Sequence, residues 1–179
     1  MKVAAVLAIA LGLVAAFTLG QATAVQTEGQ GMEGMPPMPE WMQLTECHKE
    51  MVKSCGTFDV KGTMWMVPGE PAEEFQATAT RKMIMDGRFV QEDFVSEFMG
   101  MPFKGMSIEG YDTIAKEMVS IWIDSSSPYL SVQRGKVEKD GTMVMMGKSP
   151  DMMSGDMIDN KIVGKPSADG NTMTMTFYK

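Results

Sequence analysis

The chain has 179 residues, with 23 acidic and 16 basic side chains and a formal net charge of −7. This length suits a single domain, and about 150 residues can bury a substantial core. The acidic balance argues against binding to nucleic acid or to an anionic membrane surface. No recognised catalytic or metal-binding motif is present, and the sequence identifies no cofactor.

The N-terminus has the pattern of a secretory signal peptide, residues 1–24. Lys2 supplies a positive charge, an uncharged apolar stretch follows from Val3 to Leu19, and Ala22-Thr23-Ala24 is a small-x-small cleavage site. A membrane anchor is the alternative, but the stretch is short for a span and ends in a cleavage motif. We therefore expect export to the periplasm or the cell exterior, and no membrane span after processing.

Residues 25–39 are predicted to form a disordered linker, because they are rich in Gly, Pro and Met and lack apolar periodicity. Met32, Met35, Met38 and Met42 are spaced at three or four residues, and thioether sulfur is a soft ligand that suits Cu(I). A methionine-rich copper-binding or redox-protective protein is therefore one possible function.

Residues 39–55 are predicted to form one helix that precedes the strands. Cys47 and Cys55 would then lie about 12 Å apart along that helix, which is too far for a disulfide. The geometry favours free or intermolecular thiols, whereas an internal disulfide would need the helix to end before Cys55. The apolar stripe of this helix contains Trp41, Leu44, His48, Met51, Val52 and Cys55.

His48 is the only histidine in the chain. One histidine excludes the usual multi-histidine zinc sites. We favour a packing residue at the mouth of the sheet. The alternatives are a haem axial ligand, or a hydrolase-like enzyme that pairs His48 with Asp112 or Asp124.

From residue 57 onwards the chain alternates apolar and polar residues between Gly- and Pro-rich breaks. Asp86-Gly87 and Lys139-Asp140-Gly141 are tight-turn signals. The spacing predicts a mainly β domain over residues 40–179, an antiparallel up-and-down β-barrel of about eight to ten strands with one N-terminal helix. The predicted strands are Thr57–Val67, Phe75–Met85, Phe89–Phe98, Gly105–Tyr111, Glu117–Ile123, Tyr129–Glu138, Thr142–Gly147, Ile158–Lys165 and Asn171–Tyr178.

Methionine takes the place of leucine on these strands. The chain has 22 Met residues, and several occur as i, i+2 pairs where a core-facing residue is expected. Met has a volume similar to that of Leu and fills irregular gaps. We therefore predict that these strand methionines belong to the core: Met64, Met66, Met83, Met85, Met143, Met145, Met173 and Met175.

Several short motifs resemble the bacterial family known as domain of unknown function 1579, and the resemblance covers most of residues 45–178. The family has no established activity, and its strand pattern is similar to that of lipocalin-like barrels, which implies architecture alone. Phe58 stands where the family usually has Trp. The motifs are Gly87-Arg88-Phe89, Pro102-Phe103-x-Gly105, Gly110-Tyr111-Asp112 and Trp122-Ile123-Asp124-Ser125.

Arg88 and Glu92 share the parity of Val90 and Phe94, so Glu92 is predicted to point among apolar groups. The pair is either an anchor for a ligand headgroup or a buried ion pair that fixes register.

Four further residues complete the candidate ligand-binding set. Trp122 is either a ligand-stacking ring in the lumen or an outside packing residue, and Asp112 and Asp124 have the usual positions of turn caps. Tyr111-Asp112 and Asp124-Ser125 are expected at opposite ends of an antiparallel pair. The candidate set is therefore Arg88, Glu92, Tyr111, Asp112, Trp122 and Asp124.

Taken together, these features favour an exported barrel that binds a small, partly apolar ligand. The metal or redox protein and the hydrolase-like enzyme are the alternatives.

Overall fold

A computed structural model describes residues 37–64, 71–98, 100–151, 154–169 and 171–179, without the side chain of Phe98. These residues form one sheet of nine antiparallel strands in simple up-and-down order. The strands are β1 (Gly56–Met64), β2 (Glu73–Ile84), β3 (Phe89–Phe98), β4 (Met101–Asp112), β5 (Glu117–Asp124), β6 (Ser127–Val137), β7 (Met143–Pro150), β8 (Met157–Pro166) and β9 (Met173–Tyr178).

The predicted fold class is confirmed, including the strand order and the helical region that precedes β1. Each ladder joins consecutive strands, and β1 and β9 are not paired with each other in the described part of the chain. The sheet is therefore a curled half-barrel with two edges rather than a closed barrel. The predicted signal peptide, most of the predicted linker and Met66 lie outside the described residues.

The turn signals found in the sequence fall between strands. Met85, Asp86 and Gly87 all have positive φ angles, of 49°, 55° and 82°, in the turn between β2 and β3. Asp and Gly tolerate this left-handed conformation. Met85 belongs to this turn, so its predicted place on the core face of β2 was wrong, and its side chain is exposed.

One face of the sheet, called the inner face below, carries the row Arg81, Glu92, Ser107 and Trp122, which are paired in register from β2 to β5. The buried strand residues with side chains share this face. Some of these residues lie on strands away from the helical region. They can be buried there only if the sheet curls toward this face. The buried residues are Ala79, Val90, Ser107, Gln133 and Met145.

The strand methionines follow the predicted pattern in part. Met145 is buried, and Met83 and Met143 are half-buried on the inner face. Met173 and Met175 also belong to the inner face, since they pair with Pro166 and Gly164, but both are exposed on the edge strand β9. The inner face is therefore covered near β3 and β7 and open near β9.

The predicted helix is present but consists of three short segments. They are a 3-10 turn at Glu40–Met42, α1 (Glu46–Met51) and a 3-10 turn at Val52–Ser54. Gln43 is extended after the first turn, and Thr45 begins α1 as an N-cap. Because the chain is extended at this break, Trp41 and Leu44 are exposed instead of joining one apolar stripe.

Cys47 and Cys55 are both free thiols. The Sγ of Cys55 donates to the carbonyl oxygen of Met51 at 3.8 Å. None of the helices in the described ranges is long and apolar enough to cross a bilayer.

Two glycines let β6 and β7 approach closely at the centre of the inner face. A Cβ atom at Gly135 would lie 1.9 Å from the carbonyl oxygen of Val144, and one at Gly147 would lie 2.5 Å from that of Val132. These contacts are with backbone, so neither can be relieved by a side-chain rotation.

We expect Gly135→Ala to destabilise the protein by about 1–3 kcal/mol, because the added methyl group must push two strands apart. Gly164→Ala is the matched control, since its nearest contact is the flexible Sδ of Met175 at 2.8 Å. Urea unfolding should show a smaller loss for the control. Equal losses would contradict the close approach of β6 and β7.

Candidate functional site on the inner face

Arg81 is the centre of a charged network on the inner face. Its Nη1 atom lies 2.6 Å from Oε2 of Glu92, and its Nη2 atom lies 2.6 Å from Oε2 of Glu109. Nη1 also donates to Oε1 of Glu109 at 3.1 Å, while Nε and Nη2 donate to the carbonyl oxygen and hydroxyl group of Ser54. The network therefore joins β2, β3 and β4 to the end of the helical region.

All five N–H donors of the Arg81 guanidinium can be used by these contacts. Burial opposes its charge, but the hydrogen bond and charge of Glu109, followed by those of Glu92, raise the pKa of Arg81 above its ordinary value. The three charged side chains are about one-fifth exposed or less. Arg81 is thus a structural cation with little capacity left for an anionic ligand.

The predicted orientation of Glu92 is confirmed, but the predicted partner was wrong. Glu92 pairs with Arg81, which lies directly opposite on β2. Arg88 lies in the turn before β3. Two residues four positions apart on a strand are separated by about 13 Å, so shared parity does not bring their side chains together.

Removal of Arg81 should leave two carboxylates without their cation. We expect Arg81→Met to cost about 3–5 kcal/mol of unfolding free energy, whereas Arg81→Met combined with Glu92→Leu and Glu109→Leu should recover most of that loss. Arg88→Met is the control and should cost less than about 1 kcal/mol. Chemical denaturation of the three variants tests this, and a similar loss for Arg81→Met and Arg88→Met would contradict it.

An aromatic group lies beside the charged network. Trp122 is on the inner face, and its ring covers Gly105, where a Cβ atom would lie 2.2 Å from the ring. Phe94 makes edge contacts with Trp122 and Phe103, with ring centroids 5.9 and 6.1 Å apart. The structure thereby places Trp122 on the lumen side, which the sequence left open.

Asp124 holds Trp122 in place. Its Oδ2 atom accepts the indole N–H at 2.9 Å, and its Oδ1 atom accepts the backbone N–H of Ser126 at 2.9 Å. Burial alone would raise the pKa of Asp124, but the hydrogen bonds from Ser126 and Trp122 outweigh it and lower the pKa. Asp124 is therefore both a turn residue, as expected, and a fixed acceptor at the rim of the inner face.

Tyr111 and Asp112 are separated from Asp124, as predicted. Gly105 pairs with Asp124, whereas Asp112 pairs with Glu117 at the other end of the same ladder. Asp112 is on the outer face, where Oδ1 caps the turn by accepting from Ala115 N–H at 2.9 Å. Tyr111 is on the inner face, close to the helical region.

His48 is buried, and its ring acts as a helix cap. The backbone N–H of Thr45 donates to Nδ1 at 3.0 Å, so His48 takes the N3 position of a capping box. Its ring also meets Tyr111 edge-on, with centroids 6.0 Å apart. This arrangement agrees with the packing role that we favoured from the sequence. Burial first, and then the charge of Arg88, lower the pKa of His48 below its ordinary value of 6.5.

The lowered pKa of His48 predicts a pH effect on stability. The unfolded chain takes up a proton near pH 6.5, above the folded value, so stability should fall as the pH drops below about 6.5. His48→Gln should retain the cap, because Gln is a usual N3 residue, and should not titrate.

The urea midpoint should therefore decrease more between about pH 7.5 and about pH 5 for the wild type than for His48→Gln. The other titrating groups are common to both proteins and cancel in this comparison. The same decrease in both would contradict a lowered pKa at His48.

A second polar feature crosses the middle of the inner face. Register places one row of residues across five strands from β4 to β8. Gln133 is 5% exposed, and its Nε2 atom donates to the hydroxyl group of Ser131 at 3.1 Å. Oε1 of Gln133 and Oδ1 of Asn160 are buried without a hydrogen-bond partner among the described residues. The row is Glu109, Ser120, Gln133, Gly147 and Asn160.

The strands β6 and β7 separate beyond this row. They pair from Gln133–Gly147 to Val137–Met143, and the preceding half of β6 is outside that ladder. The Tyr129 hydroxyl group donates across the gap to the carbonyl oxygen of Lys148 at 3.0 Å. An open cleft of about 560 Å³ lies along the fork, mostly on the outer face of the sheet by register, and is lined by Tyr129, Leu130, Val132, Met146, Gly147, Lys148, Met157 and Asp159.

In the described part of the chain, no three His, Cys, Asp or Glu side chains are placed to share a metal ion. Met38 and Met42 are exposed, and Met32 and Met35 lie outside the described residues.

The family described as "Protein of unknown function (DUF1579)" matches residues 43–179. The chain belongs to this family. The matched part of this DUF1579 protein runs from the break before α1 to the end of β9, so it contains every candidate site residue described above. No curated protein and no solved structure matches the chain.

Three residues of the site were missed by sequence reasoning. Arg81 interrupts an otherwise apolar face of β2, which was a usable signal for a buried charge. Glu109 lies between Ser107 and Tyr111 on the same parity, and Gln133 has the parity of Tyr129 in β6. Their proximity depends on strand register, which alternation within one strand does not supply.

Proposed function

We propose that this DUF1579 protein is an exported binding protein that holds a small, partly apolar molecule on the inner face of its half-barrel. The observation that supports this most strongly is the uncovered inner face. Phe177 is 71% exposed and Met173 is 51% exposed on β9, and Val137 and Met101 are exposed on the same face. Apolar surface that is concave and rimmed by polar groups is typical of a ligand site.

The polar groups of the inner face would orient such a molecule. Trp122, fixed by Asp124, offers an aromatic surface, and Tyr111 offers a hydroxyl group near the helical region. Glu92 is held by Arg81 and would act on a ligand through its remaining oxygen. Asp112 faces the other side of the sheet, so we do not include it in the site.

A binding role suits the chemistry of these residues better than hydrolysis. Nδ1 of His48 is already occupied by Thr45, and the hydrogen bonds of Asp112 and Asp124 serve turns and Trp122. An acidic carrier outside the cytoplasm would need no catalytic group. Export is part of this proposal, and it rests on the signal-peptide pattern of residues 1–24.

An environment-sensitive apolar dye tests the proposal. The wild-type protein is purified from the exported fraction, and its intact mass should match a chain that starts at Val25. This protein should bind the dye saturably. Met175→Lys should weaken binding several-fold, because it places a charge on the inner face. Thr174→Lys is the matched control, since it lies on the opposite face of the same strand.

The control variant should bind as the wild type does. Absence of saturable binding, or an equal loss in both variants, would contradict the inner face as the binding surface.

A further inference from the structure

The inner face of the strands is acidic. By register, Arg81 is its only described cation, and it is shared by Glu92 and Glu109. Asp124 adds another carboxylate on the same face. A ligand with a carboxylate or phosphate group would meet net negative charge on these strands, and Arg88, the cation of the same parity, lies in the turn before β3, where its charge acts on His48.

Two neutral acceptors are left over on this acidic face. Gln133 Oε1 and Asn160 Oδ1 lie in one cross-strand row, separated by Gly147. The amide group of Gln133 lies over Gly147, with Oε1 2.5 Å from where a Cβ atom at that position would be. A buried polar atom without a partner costs free energy, so such atoms are rare in native proteins and call for a partner that the chain lacks.

Apolar residues border this row. On one side, register aligns Met118, Gly135, Met145 and Ile162 across β5 to β8. On the other side lies the indole ring of Trp122, next to Ser131 in the ladder. A molecule in this place would therefore contact apolar surface along its length and lie beside the row that contains the two amide oxygens.

We infer that the ligand of the inner face is an uncharged amphiphile with a hydrogen-bond donor, either a hydroxyl group, which donates its one proton to Gln133 Oε1 or to Asn160 Oδ1, or a primary amide group, which has two N–H donors. This inference rests on the proposed function and adds the chemical class of the ligand. The donor supplies a missing hydrogen-bond partner, and the absence of a negative charge avoids repulsion by the acidic inner face.

Competition against the bound dye tests this class with three probes of similar chain length. They are 1-dodecanol, 2-tridecanone and dodecanoate. The alcohol should compete best. The ketone, which accepts but does not donate, should be roughly 2- to 10-fold weaker, and the carboxylate should be weaker still because of its charge.

Variants test whether the preference for the alcohol depends on the row that contains Gln133 and Asn160. Gln133→Met should lose the preference for the alcohol over the ketone, measured as the ratio of their two competition constants, whatever the affinity of the variant for the dye. Gln76→Met, on the outer face of β2, is the matched control and should keep that preference. Asn160→Leu provides a second variant if Gln133→Met does not fold, as judged by circular dichroism.

The outcomes separate the two proposals. Dye binding with equal competition by all probes, or with the ketone or carboxylate preferred, overturns the ligand class and leaves the binding function standing. A preference for the alcohol that survives both variants overturns the assignment to Gln133 and Asn160. Absence of dye binding overturns the proposed function itself.

Discussion

The structure depends on how one sheet covers its own apolar face. An antiparallel sheet buries one face and exposes the other, and it normally needs a second layer for this. Here the described chain supplies a short helical region whose contacts fall on β2 and β4. Elsewhere the sheet must curl on itself, which buries Met145 and Gln133 but leaves β9 open. The uncovered surface is a consequence of this architecture.

The Arg81 network determines where the helical region lies. Its hydrogen bonds to Ser54 and its ion pairs with Glu92 and Glu109 connect four elements within a few ångströms. The His48 cap shapes the start of α1, and the edge contact with Tyr111 brings the ring against β4. Polar interactions therefore join the helical region to one end of the inner face. In its middle, Gly135 and Gly147 allow β6 and β7 to approach closely.

Much of the fold could be predicted because alternation and turns are local signals. All nine strands were placed from such patterns, as was the turn at Asp86-Gly87. Partners across strands could not be predicted in the same way: Glu92 was assigned to Arg88 because they share parity, whereas register gives it Arg81. The same limit hid the row that contains Gln133 and Asn160. The sequence pattern also could not predict whether the sheet closes into a barrel, since the number of strands does not decide whether β1 pairs with β9.

We propose above all that a small molecule binds the inner face and covers its exposed apolar surface. Native mass spectrometry of the protein, purified from its own cells without detergent, tests this most directly. The account predicts a mass excess from one small uncharged molecule that is lost on denaturation and reduced in the Met175→Lys variant. A native mass equal to that of the bare chain, together with an inner face that excludes apolar dye, would contradict it.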